Sequence, residues 1–388
     1  MIVGVVGAPN KGKSTFFSAA TKTDVAMADY PFTTIDPNKG VGYCRVKCPH
    51  AEIGKECKPR TGSCSNGTRL VPVNIIDVAG LVPGAHEGKG MGNRFLDDLS
   101  DADALIQVVD ASGGTDLEGN KAQGANPIDE VRFLEEELDY WFEGIIKRNY
   151  AGKIKGKGAK ELYTAVSGLK VTMSDCEAAA RAAEADMKNI MWDDWQIFKF
   201  ARELRKTSKP VLIVANKADL PGAKENIEKL VAAFGADRVV QCSAVAELAL
   251  RKAVAAGAIK YFPGDDSFEI IRADERQRAG LEAVAAMIKG KGSGVQQAIE
   301  KAVFGLLGMI AVFPVEDENN YADRNGNVLP DAILLPTGSS ALDLAGKIHT
   351  DLAQNFICGI NARTHMRVGK ETPLKNGDVI KIVSGKNH

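Results

Sequence analysis

The strongest constraint on this chain lies in its first residues, where the apolar run Ile2-Val3-Gly4-Val5-Val6 leads into Gly7-Ala8-Pro9-Asn10-Lys11-Gly12-Lys13-Ser14. The run reads as a buried strand, and the glycine-rich segment satisfies the P-loop pattern. Thr15-Phe16-Phe17 continues as a helix, completing the strand, loop, helix context the pattern requires. The glycines let backbone N–H groups curl around phosphate oxygens, with Gly7, Asn10, Lys11, Gly12, Lys13, Ser14 and Thr15 as the contacting residues. Lys13 then reaches the outer phosphates and Ser14 offers an oxygen to Mg²⁺. A strand ending in such a loop predicts an α/β domain, a mostly parallel sheet with helices on both faces.

Further strand ends repeat the theme. Val71 to Ile76 runs into Asp77-Val78-Ala79-Gly80, where the acid can hold the Mg²⁺ shell and Gly80 can face a γ-phosphate. Val211 to Ala215 delivers Asn216-Lys217-Ala218-Asp219, and a carboxylate at Asp219 can accept from guanine N1–H and the exocyclic amino group together. Adenine lacks that donor pair, so the wrong base would leave a buried polar group unpaired. Val239-Val240-Gln241-Cys242 leads into Ser243-Ala244, whose backbone amide could meet the guanine carbonyl. Taken in order, these motifs specify a guanine-nucleotide site with Mg²⁺, holding GTP or GDP.

Asp29-Tyr30-Pro31-Phe32-Thr33-Thr34-Ile35-Asp36-Pro37-Asn38 resembles the switch I segment of the Obg family of GTPases. Ala79-Gly80-Leu81-Val82-Pro83-Gly84-Ala85-His86-Glu87-Gly88-Lys89-Gly90-Met91-Gly92-Asn93-Arg94-Phe95-Leu96 is similar to switch II of the YchF branch, the Obg-like ATPases and their archaeal relatives. The resemblance covers nearly the whole chain, and the opening directly on the first strand favours that branch over Obg proteins with a glycine-rich amino-terminal domain. It implies that Thr34 ligates Mg²⁺ when GTP is bound, although Thr33 could take that place. Bacterial and eukaryotic YchF proteins depart from Asn-Lys-x-Asp and accept ATP; the motif is intact here, so GTP is expected, with ATP as the alternative.

Ras-like enzymes carry a water-orienting glutamine after the DxxG glycine, and this chain has Leu81. Asn10 could supply the missing electrostatics by holding K⁺ beside the phosphates, or it could merely favour the tight turn. His86 could orient water or be incidental. Slow turnover awaiting a partner, or a non-catalytic nucleotide-gated scaffold, are the remaining readings. Gly84, Gly88, Gly90 and Gly92 suit a loop that is ordered by the γ-phosphate and released afterwards.

Between Asp110 and Val211 about a hundred residues stand where a dozen would complete a crossover, which predicts an inserted helical hairpin domain. Asn126-Pro127 caps a helix with Val131, Leu134, Leu138, Trp141 and Ile145 on one face. Ser174 with Glu177 reads as a capping box, and Trp195, Phe198 and Leu204 as the core face of another helix. Lys153, Lys155, Lys157 and Lys160, interleaved with glycines, form either a basic hairpin tip for RNA phosphates or a solvated loop.

From Gly308 onward short strands and turns at Asn325-Gly326 and Asn376-Gly377 surround one helix capped by Ser339-Ser340. Pro336-Thr337-Gly338-Ser339-Ser340-Ala341-Leu342 and the following residues resemble a TGS domain, a β-grasp module of translation-linked GTPases and synthetases. That implies a ribosome or structured-RNA partner, with Arg363, His365, Arg367 and Lys370 as a basic edge. The expected divisions are 1–110 and 206–306 for the two parts of the G domain, 111–205 for the insertion and 307–388 for the TGS domain.

Lys+Arg 49 against Asp+Glu 50 gives a net charge of -1, so nucleic-acid contact would need a local patch, and no DNA partner is expected. No apolar run reaches membrane-spanning length and no signal peptide is evident, so a cytoplasmic protein without membrane contact is expected. Seven cysteines without a secretory signal argue for thiols or a metal site. Cys44, Cys48, Cys57 and Cys64, with His50 nearby, could close around one Zn²⁺, stay unliganded, or form a redox pair.

Overall fold

A computed structural model of the chain describes residues 1–21, 38–78 and 99–385. Among the described residues, its contacts divide into two units: residues 1–21, 38–41, 74–78 and 99–302, and residues 42–73 and 303–385. The segment 42–73 therefore groups with the carboxyl-terminal part of the chain, which a linear division of the sequence does not anticipate.

The strands β1 (Ile2–Val6), β4 (Thr68–Asp77), β5 (Ala104–Asp110), β6 (Val211–Asn216) and β7 (Val239–Gln241) run parallel in the order β4-β1-β5-β6-β7. The sheet also takes in β2 (Lys39–Lys47), next to β4, and the two-residue β3 (Cys64–Ser65), antiparallel to β4. Every residue of β5 and β6 is buried, as expected of central parallel strands covered on both faces. The parallel register sets the carboxyl ends of β1, β4, β5 and β6 along one edge, where α/β sheets bind ligands.

The insertion contains four helices: α2 (Pro127–Asn149), α3 (Ala159–Val166), α4 (Met173–Ala182) and α5 (Asp194–Ser208). Asn126 caps α2 through its side chain, as expected, and Val131, Leu134, Leu138 and Trp141 are buried. Two details differ. The α4 cap is Thr172 with Asp175, whose side chains and backbone amides satisfy each other reciprocally, and Ser174 lies inside the first turn. Trp195 is exposed because the buried stripe of α5 is Ile197, Phe200, Ala201 and Leu204, which turns the indole away. Lys153, Lys155, Lys157 and Lys160 are all exposed near the turn between α2 and α3.

After β6 come α6 (Ala223–Phe234) and, after β7, α7 (Ala244–Ala255), a short pair β8 (Ile259–Lys260) and β9 (Glu269–Ile270), α8 (Glu275–Ile288) and α9 (Val295–Glu300). The second unit has a mixed sheet in the order β11-β10-β14-β12-β13, formed by β10 (Met309–Val315), β11 (Ile333–Pro336), β12 (Phe356–Asn361), β13 (Arg367–Val368) and β14 (Val379–Ser384). Helix α10 (Ala341–Ile348), capped by Ser340, buries Ala341 and Leu344 against Ile310, Val312 and Ile380. This is the expected β-grasp arrangement of a helix packed across a mixed sheet. A short α11 (Thr350–Gln354) follows, and exposed His349 caps it through Nδ1.

Candidate nucleotide-binding site

The P-loop leaves β1 through Gly7 and enters α1 (Lys13–Thr21) at Lys13. Two positions demand glycine. A Cβ on Gly7 would stand 2.6 Å from Val108 O, and one on Gly12, at φ +90°, would collide with the Asn216 side-chain nitrogen. Asn10 takes φ 60°, a conformation asparagine tolerates, and its Nδ2 donates to Gly119 O at 2.9 Å. Ser14 is exposed at the start of α1, and Phe16 behind it is fully buried, anchoring the helix.

Lys13 Nζ donates to Asp77 Oδ1 at 2.6 Å and to Val78 O at 2.7 Å. The structure thus joins the P-loop lysine to the acid at the end of β4, two residues that the sequence motifs assigned to one site. Thr33, Thr34, Gly80, Leu81 and His86 lie outside the described residues.

The other side of the loop is held by the Asn-Lys-Ala-Asp segment. Asn216 is buried; its Nδ2 donates to Lys11 O at 2.9 Å and its Oδ1 accepts from Ala244 N at 3.0 Å. One amide therefore joins the P-loop to the Ser243-Ala244 turn. Lys217, itself at φ 61°, donates from Nζ to Asn10 O at 2.9 Å and to Asp110 Oδ2 at 2.7 Å. Burial pushes the Asp110 carboxyl up, but hydrogen bonds from Lys217, Ser112 and Thr115 outweigh it and hold the group below the usual range. Asp219 is exposed, so its carboxylate remains accessible beyond this framework.

Sequence reasoning missed two supports. Lys11 lies in the P-loop but its side chain is fully buried, donating to Thr115 O at 3.1 Å, Thr115 Oγ1 at 2.8 Å, Asp116 O at 2.7 Å and Glu130 Oε1 at 2.8 Å. Burial lifts the Glu130 carboxyl to about 7 against the pull of Lys11. Behind the Ser243-Ala244 turn, buried Glu247 accepts from Arg251 Nε at 2.7 Å, Tyr261 Oη at 2.8 Å and Ser293 Oγ at 2.6 Å. Ser293 O in turn accepts from Ser243 N at 2.9 Å. The sequence shows Lys11 and Glu247 beside known motifs, but their burial, which marks them as supports, is visible only in the structure.

The cysteine expectation needs one correction. Cys48, Cys57 and Cys64 converge in the second unit with His50, their ligand atoms all within 4.8 Å of one another. Cys44 does not join them. It sits inside β2, fully buried, with Sγ at 3.6 Å from Val71 O. A residue in a regular strand keeps the facing that the strand dictates, whereas His50 lies in the turn that follows Cys48 and can fold back.

A parallel sheet with a P-loop at one strand end, an acid at the next and an Asn-Lys-Ala-Asp strand end clasping the loop defines the class of P-loop GTPases. Comparisons with known proteins agree. Residues 2–138 match the 50S ribosome-binding GTPase domain, residues 214–317 the Obg-like GTPase YGR210-like, G4 motif-containing domain, and residues 325–384 the TGS domain. An uncharacterised GTP-binding protein from Methanocaldococcus jannaschii is 47% identical over 393 residues, covering 99% of each chain. The crystal structure of a GTP-binding protein from Pyrococcus horikoshii OT3 is 38% identical with a TM-score of 0.81, covering 99% of this chain and 100% of that one. The ribosome-binding ATPase YchF of Bacillus subtilis is 28% identical over 412 residues, 98% of each chain. The chain belongs to the YchF branch of the Obg-like GTPases and carries a carboxyl-terminal TGS domain. No described helix is long and apolar enough to cross a membrane.

Proposed function

We propose that this chain binds GTP with Mg²⁺ and hydrolyses it to GDP and phosphate, as a conformational switch acting on the ribosome or a structured RNA. The observation that carries guanine choice is the two-way clasp of Asn216, which fixes the P-loop and the Ser243-Ala244 turn together and leaves Asp219 accessible for the base. A carboxylate held there by a rigid framework discriminates by leaving itself unpaired against adenine.

Gly7, Gly12 and the amides through Thr15 would cradle the phosphates, with Lys13 exchanging its Asp77 partner for phosphate oxygens. Ser14, Asp77 and Thr34 would hold Mg²⁺, which supplies charge neutralisation across the β- and γ-phosphates when bound. The donor set suits it, being hydroxyl and carboxylate oxygens. Gly80 would contact the γ-phosphate. Asn10 commits its Nδ2 to Gly119 O, which leaves Oδ1 as the atom to ligate K⁺ in place of an arginine finger. His86 is the candidate for orienting water. Zn²⁺ falls to the cysteine–histidine cluster and takes no part in this chemistry. The exposed lysines 153, 155, 157 and 160 and the TGS domain support an RNA or ribosomal surface, as does the name of the Bacillus subtilis relative. The same reading makes the cytoplasm the site of action.

The test is displacement of labelled GDP by GTP and by ATP, followed by phosphate release in potassium and in sodium at equal ionic strength. GTP displacing at far lower concentration than ATP, with faster release in potassium, is expected. Equal displacement by ATP would transfer the activity to an ATPase of the same fold. Tight GTP binding without turnover, even with ribosomes present, would make the chain a nucleotide-gated scaffold.

A further inference from the structure

The cluster of Cys48, His50, Cys57 and Cys64 belongs to the second unit, and its dimensions are informative. A tetrahedral Zn²⁺ with Zn–S of about 2.3 Å and Zn–N of about 2.0–2.1 Å requires ligand edges of about 3.8 Å between sulfurs and about 3.5–3.6 Å between sulfur and nitrogen. Cys48 Sγ lies 3.8 Å from Cys57 Sγ, and Cys64 Sγ lies 3.6 Å from His50 Nδ1. Two independent edges of the tetrahedron are therefore already at the lengths a single zinc ion would impose. All four ligand atoms fall within 4.8 Å of one another, and the cysteines are free thiols. A disulfide would need sulfurs about 2.05 Å apart.

Three thiolates and one Zn²⁺ carry a net negative charge, and the fully buried Arg69 sets its Nη1 3.7 Å from Cys57 Sγ. A buried guanidinium facing a sulfur is what a thiolate-rich centre needs beyond its direct ligands. Arg69 also donates from Nη2 to Pro330 O at 2.9 Å, tying the centre to the carboxyl-terminal segment of the same unit. The backbone agrees: Cys48 N donates to Gly67 O at 2.8 Å, which fixes the first ligand to the turn beyond the last.

We propose that Cys48, His50, Cys57 and Cys64 form a structural Cys₃His zinc site that closes the segment between β2 and β4. The site is closed, with four protein ligands and no position for substrate, so its role is to hold a fold and not to catalyse. Between its ligands the chain runs alongside residues 328–330, with Lys58 N donating to Val328 O at 2.8 Å and Arg60 N to Pro330 O at 2.9 Å. Arg60 also pairs with Asp323 at 3.0 Å and Asp331 at 3.1 Å. Zinc would thereby convert a loop with little regular structure into a rigid clasp on this part of the second unit.

The full chain, expressed with added zinc and purified without chelator, should retain about one Zn²⁺ per chain by elemental analysis. Cys64→Ser and His50→Ala should each lose most of it, while Cys44→Ser should keep it. Labelled GDP binding reports whether each variant is folded. Should the ligand variants fail to fold, cobalt-loaded wild-type protein decides the matter, since tetrahedral coordination by three sulfurs and one nitrogen gives an intense visible spectrum with sulfur charge-transfer bands. A wild-type chain without zinc, a Cys44→Ser variant that loses as much as Cys64→Ser, or a Cys48–Cys57 disulfide in the purified protein would each overturn the proposal.

Discussion

Replacing Lys11 by Met tests how the P-loop is braced. The lysine side chain is fully buried, with 6% exposure on its Glu130 partner, and it makes three further hydrogen bonds to Thr115 and Asp116. Methionine keeps the volume and removes the charge and all four bonds. Breaking a buried pair from one side costs about 3–5 kcal/mol, because the other charge is left without compensation. Here the cost should fall at the lower end, about 3 kcal/mol, since Glu130 already has its carboxyl lifted to about 7 and can escape by taking a proton. Lys11→Met, Glu130→Leu and the double variant form a thermodynamic cycle. Chemical unfolding of the nucleotide-free chain at neutral pH measures it. The double variant should be less destabilised than the sum of the singles by about 2 kcal/mol. A coupling below about 0.5 kcal/mol would refute the reasoning, since the pair would then contribute independently.

Three other perturbations follow from the same geometry. Gly12→Ala puts a methyl against the Asn216 side chain at a backbone angle suited to glycine, so GDP affinity measured by fluorescence titration should fall by at least about tenfold. Asp219→Asn replaces two acceptor oxygens by one acceptor oxygen and one donating amino group, so GDP affinity should drop about a hundredfold while xanthosine diphosphate gains. Lys209, fully buried with Nζ donating to Ser100 O and Ala102 O, has its pKa lowered to about 8, chiefly by burial. Between pH 8 and 10.5 the unfolded chain holds this proton and the folded chain releases it, so stability rises with pH across that window. Relative to Lys209→Met, wild-type protein should gain up to about 3 kcal/mol over that range in pH-dependent unfolding.

What the sequence disclosed, and what it hid, follows from the range of each interaction. The strand ends at Gly7, Asp77, Asn216 and Ser243 were legible because each motif is local and its strand precedes it directly. The face of α2 was legible because helical spacing is a short-range pattern. Lys11 was not, because its partner Glu130 is 119 residues away and nothing local indicates that the side chain turns inward. Trp195 misled because an aromatic residue signals burial only on average, and the stripe through Ile197 and Phe200 decides the face. Cys44 misled because counting cysteines ignores the strand that fixes its facing, while His50 entered the cluster through a turn.

The bracing of the P-loop bears on how base and phosphate recognition are coupled. The carbonyls of Asn10 and Lys11 are engaged by Lys217 and Asn216, and the side chains of the same two residues by Gly119, Thr115, Asp116 and Glu130. Of the Asn-Lys-Ala-Asp segment, the first two residues therefore act on the loop that would hold phosphate, and exposed Asp219 is left for the base in the proposed mode of binding. These groups share one hydrogen-bonded framework, so their contributions to nucleotide binding cannot be independent. A change at Asn216 should weaken a ligand that has phosphates more than its base contact alone would explain, because the same amide positions Lys11 O and Ala244 N. The segment between β5 and α2, which carries no nucleotide motif, backs the phosphate loop through Thr115, Asp116 and Gly119. Substitutions there should therefore lower affinity for guanine nucleotides without touching them.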